Sequence, residues 1–424
     1  MEAKVKPMKI AVVGGGVAGL SSAWLLSQHH DVTIIEARSR LGGHTNTRMV
    51  VDGHKKIPVD TGFIVCNPVN YPNFYRLLDQ WGVARRDSDM SFGFSSAGSE
   101  FGWVGPSWRQ FIRMPENLLR PSCWQMLMDW RKFNGAGIAL VLEAKASHET
   151  LSDFLKRIGV GRVFTAQCLI PLAASVWSSP DESMLEFPAM SFLQFFYNHG
   201  LLKVSNFPQW QTIVGGSKVY VQAFQSQFSG TIRLNEGIGQ VERSGGGVTI
   251  VFVDGHTETF DHVVFATHAD TAQNLLKDPS QEERAALGAF EYHRSSTILH
   301  TDESVMPRNR RNWASWNYRR PAGATIQDPV PITYHMNRLQ GIQSTRDYFV
   351  TLNSRSGIDV DQVLYETTYA HPCFTPATMR AQQAINQLDG ALNTHYCGSY
   401  MRYGFHEDAV LSACRVARRL GVVW

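Results

Sequence analysis

Short apolar runs bounded by glycine or polar residues alternate along this chain with stretches of helical periodicity. Residues 8–13, with Ile10-Ala11-Val12-Val13 uninterrupted by any polar side chain, read as a strand buried on both faces. A glycine-rich turn follows, then a helical run from Ala18 to about Gln28, then a second buried strand, Val32-Thr33-Ile34-Ile35-Glu36. The pattern predicts a β-α-β unit of about 30 residues. From about 70 to 205 the spacing is largely helical: Tyr71-Pro72-Asn73-Phe74-Tyr75 opens one helix, Leu118 to Phe133 forms another, and Leu151-Ser152-Asp153 begins a third. Pro171, Pro180 and Pro188 punctuate the remainder. Residues 231–265 alternate as a meander, turning at Gly245-Gly246-Gly247 and Asp254-Gly255. Asp261 to Thr267 is again a buried strand, and strand patterns recur at 295–301, 330–337 and 347–353. A last helix is expected from Ala409 to Leu420. No internal repeat or low-complexity tract interrupts this order.

Composition narrows the function classes. The 424 residues are 43% hydrophobic and 18% charged, which is globular rather than disordered. The net charge of +3 is too mild to argue for nucleic acid. The six cysteines are scattered without a C-x-x-C pair, which gives no metal site and no disulfide framework, and suggests a reducing, cytoplasmic compartment. No apolar run approaches the roughly 20 residues that span a bilayer. Lys9 before Ile10–Val13 imitates a signal peptide, but glycines break the run at once.

Those glycines carry the first chemistry. Gly14-Gly15-Gly16-Val17-Ala18-Gly19 fits G-x-G-x-x-G, between a strand and a helix. Gly14 permits the turn, Gly16 lets backbone approach a pyrophosphate, and Gly19 lets helix and strand pack closely. The amides at the start of the helix, at Val17 and Ala18, favour phosphate. Glu36 ends the second strand where a ribose hydroxyl needs an acceptor.

The residues that follow, Glu36-Ala37-Arg38-Ser39-Arg40-Leu41-Gly42-Gly43-His44, resemble the extension of the flavin-containing amine oxidase superfamily, which also includes protoporphyrinogen oxidases and carotenoid desaturases. The resemblance implies non-covalent FAD, with Arg40 approaching the phosphates and Gly42-Gly43 beside them. His44 departs from the arginine usual there. Asp60-Thr61-Gly62-Phe63 resembles the stretch that passes the flavin ring, and Gly215-Gly216-Ser217 the turn before the second half of the cofactor domain. Near the C-terminus, Gly398-Ser399 and Gly404-Phe405-His406-Glu407-Asp408-Ala409-Val410 resemble a strand end and the helix opening that faces the flavin. Val241 on the meander completes the implied cofactor set. His406 is the strongest side-chain candidate for cofactor contact, whereas Asp408 also suits a plain helix cap.

Asp60–Val65, Asn198–Leu202, Trp313–Tyr318 and Gly404–Asp408 further resemble one bacterial-type subgroup. Its members are described as NAD/FAD-binding proteins and associated with cyclopropane-fatty-acid-synthase-like methyltransferases. Some relatives are linked to oxidation of methylated membrane fatty acids. The resemblance implies an acyl-lipid substrate, dehydrogenated or desaturated, and a methyltransferase as pathway partner. Amine oxidases of the superfamily commonly hold a lysine near the flavin and two aromatic hydroxyls around the amine. Lys203 matches by region only, and Phe405 stands where one tyrosine would. Both points argue against an amine substrate, which stays a rival reading beside a redox-neutral isomerase.

Catalytic candidates are His199, as a general base or a turn cap, and His371 and Tyr334 on the expected substrate sheet. The aromatics and arginines between Trp103 and Trp130 read either as a membrane-surface element or as a core helix with a solvated face. Arg308, Arg310, Arg311, Arg319 and Arg320, interleaved with Trp313, Trp316 and Tyr318, read as lipid-phosphate contacts or as a solvated connection. The fold expected is α/β: a discontinuous Rossmann-like FAD-binding domain (1–70, 206–285 and 381–424) with an inserted α+β substrate domain, helical over 71–205 and a sheet over 286–380.

Overall fold

Ile10 to Val13 are almost wholly inaccessible, and they form the centre of a five-stranded parallel sheet. Strands are numbered in chain order. The sheet runs β10 (Thr231–Leu234), β2 (Asp31–Glu36), β1 (Lys9–Val13), β14 (His262–Phe265), β20 (Thr394–Tyr396). It is built from three distant parts of the chain, because parallel strands need long crossovers. Helix α1 (Val17–Leu26) is the first crossover, and it packs against the final helix, α12 (His406–Arg419). A three-stranded meander, β11 (Ile238–Ser244), β12 (Gly247–Phe252) and β13 (Thr257–Phe260), covers the other face together with α8 (Ala269–Leu275) and α9 (Gln281–Leu287).

A second sheet has seven strands in the order β19 (Val363–Pro372), β15 (Tyr292–His300), β18 (Phe349–Leu352), β17 (Ile332–His335), β16 (Trp316–Arg320), β7 (Phe92–Ser96), β8 (Gly102–Gly105). Its pairs are antiparallel except β16 with β7. Helices α3 (Pro121–Glu143), α4 (Leu151–Ile158), α5 (Ile170–Trp177) and α6 (Ala189–Asn198) share one core with this sheet. Two small sheets join the halves: the hairpin β3 (Thr47–Asp52) with β4 (Lys55–Asp60), and β5 (Val65–Cys66), β9 (Gln211–Ile213) and β6 (Arg85–Asp87). The remaining helices are α2 (Pro72–Gln80), α7 (Lys218–Gln227), α10 (Met336–Gln340) and α11 (Pro376–Leu388). This computed structural model describes residues 6–96, 102–105, 119–143, 149–177, 184–202, 208–321, 323 and 331–424.

The mixed α/β class agrees with expectation, but several elements differ. The span 70–205 is not only helical, since β6, β7 and β8 lie within it and two of them extend the large sheet. Residues 231–234 leave the meander and form an edge of the parallel sheet, because Ile232 and Leu234 pair with Ile34 and Glu36. Helix α3 runs on to Glu143 past Gly135 and Gly137, where the sequence suggests a stop. At Gly137 a Cβ would lie 2.9 Å from Leu193, so tertiary packing uses the glycine and overrides its poor propensity.

The two aromatic–arginine stretches also resolve. Trp103 is buried and donates its indole N–H to the Gln167 carbonyl at 2.7 Å, and Trp130 packs beside it. Trp108, Arg109, Phe111, Arg113 and Leu118 lie outside the described residues, as does Lys203. In the arginine-rich segment, Trp313 is buried, Arg310 pairs with Glu303, and Arg319 donates to the Ser304 carbonyl. Most of this stretch therefore folds back on the protein. Among the described residues no helix is long and apolar enough to cross a membrane.

Candidate functional site

The strands of the parallel sheet end at one edge. Strand order leaves β1 in both directions, toward β2 and toward β14, so a crevice opens beyond Val13. Three glycines shape it. Gly14 has φ +103°, and a Cβ there would sit 2.9 Å from the Ala266 carbonyl oxygen. At Gly19 a Cβ would come within 1.9 Å of the Gly14 carbonyl oxygen, so any side chain would push α1 off the strand. Gly16 is the opposite case: a Cβ would meet nothing within 4 Å. It is the N-cap of α1, and no side chain caps that helix. Open space in front of uncapped amides is what a pyrophosphate requires.

The Glu36 carboxylate closes the turn. Its Oε2 accepts from Gly15 N–H at 2.7 Å and its Oε1 from Arg38 N–H at 2.9 Å. Asn235 and Glu236 donate backbone N–H bonds to the Arg38 and Glu36 carbonyls, which brings the entry to β11 beside the acid. Val241 does not lie there. Its side chain is in the core beneath the meander, and its carbonyl accepts from Lys277 N–H at 3.0 Å. The half-buried Ile238, at a bulge in β11, is nearer to Glu36 along the chain, and nothing in the alternation distinguished it from Val241.

The loop after β2 is self-bracing. Arg40 donates to the carbonyls of Leu41, Thr45 and Gly43 at 3.2, 2.8 and 3.1 Å, so both terminal nitrogens brace the loop. Ala37 and Arg38 lie at its exposed start. Gly42 and Gly43 have positive φ, and a Cβ at Gly43 would lie 3.1 Å from Gly16 Cα, so this loop forms the second wall of the crevice. His44 follows at once. Gly62 lies under it, with a Cβ there only 1.9 Å from the His44 carbonyl oxygen. Thr61 joins Asn46 and Tyr369 in a buried hydrogen-bond network that the sequence did not signal.

Asp60 is a structural tie. Its fully buried carboxylate accepts from Ser217 N–H and Oγ–H, from Thr47 at 2.5 Å and from Gln340 Nε2 at 2.9 Å. It sits at the start of α7, where a negative charge is favoured. Burial nevertheless pushes its pKa up to about 6. Gly216, with φ +87°, lets this carboxylate approach.

At the C-terminal side, β20 leads through Gly398 and Ser399 to α12. Gly398 N–H donates to Ser412 Oγ at 2.9 Å, pinning the strand end to the helix. Ala409 and Val410 are buried in the first turn of α12. Three side chains expected at the cofactor have protein partners of their own. His406 stacks on Phe63 with centroids 3.7 Å apart, and its Nε2 meets Tyr220 and Thr45 at 3.2 and 3.3 Å. Burial lowers its pKa to about 3. Glu407 reaches α2, accepting from Asn73 N–H, Asn73 Nδ2 and Phe74 N–H at 3.2, 2.6 and 3.0 Å. Asp408 accepts from the Tyr403 and Phe405 amides at 3.2 and 3.0 Å, and burial pushes its pKa up to about 7. Since Phe405 at the N-cap has no side-chain acceptor, the first amides of α12 are uncapped, like those of α1.

The three catalytic candidates lie in three places. His199 accompanies Phe405: its ring stacks on Phe195 at 3.7 Å and lies 5.8 Å from Phe405, with Trp210 parallel at 6.4 Å. Its Nδ1–H donates to the Phe195 carbonyl at 2.9 Å, which ends α6 and leaves Nε2 as the unprotonated nitrogen. Burial lowers its pKa to about 4. Phe405 stacks on Phe195 at 4.9 Å, and Tyr403 lies 6.2 Å from the same ring. Phe405 and Trp210 contact both the helical core and the core of the cofactor sheet, so this aromatic wall faces the junction of the two halves. His371 is not on that wall. It lies 5.4 Å from His44, beside the glycine loop. Tyr334 is buried in β17, packed 4.9 Å from Trp316. Phe195, Trp210 and Tyr403 were missed because aromatic residues on helices and loops carry no mark separating a wall from a core.

The model of the flavin-containing amine oxidoreductase family matches residues 17–341. Over 325 residues, 70% of this chain and 57% of the relative, the sequence is 26% identical to an L-amino-acid oxidase of Siganus canaliculatus. The chain spans about half the length of the curated relatives it matches. Among solved structures, a putrescine oxidase with redesigned cofactor binding superposes with a TM-score of 0.71 at 14% identity, covering 98% of this chain and 99% of that one. A CLA-producing fatty acid isomerase from P. acnes gives 0.69 at 16% identity, covering 97% and 98%. Both show the same fold. The family implies a flavin cofactor, typically FAD, which the open space at Gly16 and the uncapped helix starts fit. The chain belongs to the flavin-containing amine oxidoreductase family.

Proposed function

We propose that this protein is an FAD-dependent oxidoreductase that dehydrogenates an acyl lipid, with a methyl-branched or unsaturated chain as substrate. The observation that carries the reading is the wall formed by the half-buried His199, Trp210, Tyr403 and Phe405, packed over the buried Phe195. It offers hydrocarbon faces, and each acyl methylene buried against such a surface gains about 0.8 kcal/mol. A small amine has too few methylenes to use it. Beside the wall stands the exposed Arg402, centred 5.0 Å from the Tyr403 ring and 3.9 Å from the buried Asp408 carboxylate, which burial holds toward its neutral form. The guanidinium would attract a carboxylate or phosphate head group.

In this reading Gly14, Gly16, Val17, Ala18 and Gly19 would hold the pyrophosphate, and Glu36 the adenosine ribose. The uncapped amides of α12, at His406 to Asp408, would favour negative charge on a bound flavin. When bound, FAD supplies the acceptor for two electrons, which dioxygen or a quinone later takes on. The protein holds the acyl carbon in place and excludes water. His199 presents a bare Nε2 on the aromatic wall and positions the chain rather than storing a proton, since burial keeps it neutral. A methyltransferase acting on acyl chains would supply the substrate. Leu119, Trp124 and Met128, exposed at and just before the start of α3 with Arg120, Arg131 and Lys132 nearby, would touch an anionic membrane surface.

Anaerobic stopped-flow absorbance tests the reading. A methyl-branched or unsaturated acyl lipid is expected to bleach the oxidised flavin band, with a dehydrogenated product found by mass spectrometry. Benzylamine and putrescine are expected to leave it unchanged. Bleaching by amines alone overturns the lipid assignment, and a shifted double bond without net oxidation returns an isomerase.

A further inference from the structure

Imidazoles flank the glycine loop on two sides. His44 directly follows Gly43, which forms the wall against Gly16. His268 follows the Ala266–Thr267 stretch that closes over Gly14, where a Cβ would lie 2.9 Å from the Ala266 oxygen and 3.3 Å from Thr267 Cγ2. Ring centroids of His44 and His268 are 5.8 Å apart, and those of His44 and His371 are 5.4 Å apart. All three residues are half-buried.

Their hydrogen bonds leave room for a proton. His44 donates Nε2–H to the Ala370 carbonyl at 3.0 Å, so its Nδ1 carries a lone pair. His371 Nδ1 is buried without a partner. His268 stacks on Tyr292 at 4.4 Å, and the Tyr292 hydroxyl is occupied by Ala269 N–H. Of the guanidinium groups nearby, Arg40 gives three of its five N–H groups to carbonyls, and Arg38 is exposed at the loop's start, close enough to His268 to act on its charge.

We propose that His44, His268 and His371 form a proton-coupled phosphate-binding cluster, one of whose imidazoles becomes charged when the FAD pyrophosphate binds. The inference rests on the FAD reading above. In the free protein the rings are neutral. Burial is the main cause for all three, and it takes His371 down to about 4. Mutual repulsion adds to it, and His406 and His293 contribute in the same direction. Arg38 also disfavours charge on His268, and Asp270 opposes it. Tyr292 and Tyr369 face the cluster as neutral phenols, their pKa values raised by burial. A bound pyrophosphate reverses the balance, because an adjacent anion favours the charged imidazole. His44 lies 5.4–5.8 Å from each of the other rings, so a proton on it disfavours a second on either neighbour.

The sign of the linkage follows. The proton binds more tightly in the complex than in the free protein, so affinity is highest at low pH and falls as pH rises. Between the free and bound pKa values, FAD binding weakens by about tenfold per pH unit. The test is calorimetric titration of the deflavinated chain with FAD at pH 6.5, in two buffers of different ionisation enthalpy, with Kd followed by flavin fluorescence from pH 6 to 8. The expected result is uptake of up to about one proton and a Kd that rises with pH. His44→Gln, whose amide N–H reaches the Nε2 position and so can serve the Ala370 carbonyl but cannot be charged, and His371→Asn are expected to reduce the uptake. Equal apparent heats in the two buffers with a pH-independent Kd overturn the proposal on the wild-type chain alone, whatever the variants do. Absence of FAD binding at every pH overturns the cofactor reading, and this one with it.

Discussion

Glu36→Ala removes both oxygens that close the turn between β1 and α1, those accepting from Gly15 N–H at 2.7 Å and Arg38 N–H at 2.9 Å. These bonds are present without a ligand, so their loss weakens the fold. Glu36 is only half-buried, so the lower end of the range for charged hydrogen bonds applies, about 2–3 kcal/mol for the two together. Each carboxylate oxygen retains a second lone pair, which the ribose diol would use. That contact is worth about 1.5–3 kcal/mol, or roughly 10- to 150-fold in Kd for FAD. Both thermal stability and Kd therefore move. Glu36→Gln separates the two effects. Its amide sets an NH₂ group against either Gly15 N–H or Arg38 N–H, donor to donor, so Tm is expected to fall nearly as far. It keeps one acceptor for ribose, so Kd rises less, by about tenfold. Fluorescence titration of the deflavinated chain gives Kd, and circular dichroism gives Tm. A lowered Tm with unchanged Kd in Glu36→Ala would show that the acid only braces the loop and that the ribose sits elsewhere.

Glu407→Ala removes three hydrogen bonds to the start of α2 from a buried carboxylate, and it is expected to destabilise the fold by about 2–4 kcal/mol, read by urea denaturation. Stability of the deflavinated protein is expected to fall as pH drops from 6.5 to 4, because the lowered pKa values of buried His199, His371 and His406 outweigh the raised ones of Asp60 and Asp408, which act in the opposite sense. His199 is a base whose folded pKa lies below its unfolded value, so its contribution is complete above 6.5 and lost through that window, by at most about 3 kcal/mol. His199→Gln should flatten part of the slope in a pH series of thermal melts, and an unchanged slope would assign the effect to other buried histidines. Trp124→Glu with Met128→Glu, both at exposed positions, should abolish flotation with phosphatidylglycerol vesicles at low salt while leaving Tm nearly unchanged. Flotation equal to wild type would remove α3 from the membrane contact.

What was legible in the sequence is local. Ile10–Val13 and Val32–Ile35 had to be buried strands because no charged residue interrupts them, and the turn between them needed glycines where backbone approaches backbone. A resemblance carried along the chain named the family. What only the tertiary structure decided is which partner each polar side chain takes. Asp60, Glu407 and Asp408 stand in motif positions, yet their carboxylates are consumed by amides and hydroxyls brought from Ser217, Gln340, Asn73, Phe74, Tyr403 and Phe405. His199, His371 and Tyr334 looked equivalent in the sequence, but β19 carries His371 to the glycine loop, α6 carries His199 to Phe405, and β17 buries Tyr334 beside Trp316. Periodicity reports which face of an element is buried. It does not report which distant element lies against that face, and a buried polar group's chemistry is set by that neighbour, because desolvation must be offset by whatever donor or acceptor the fold supplies.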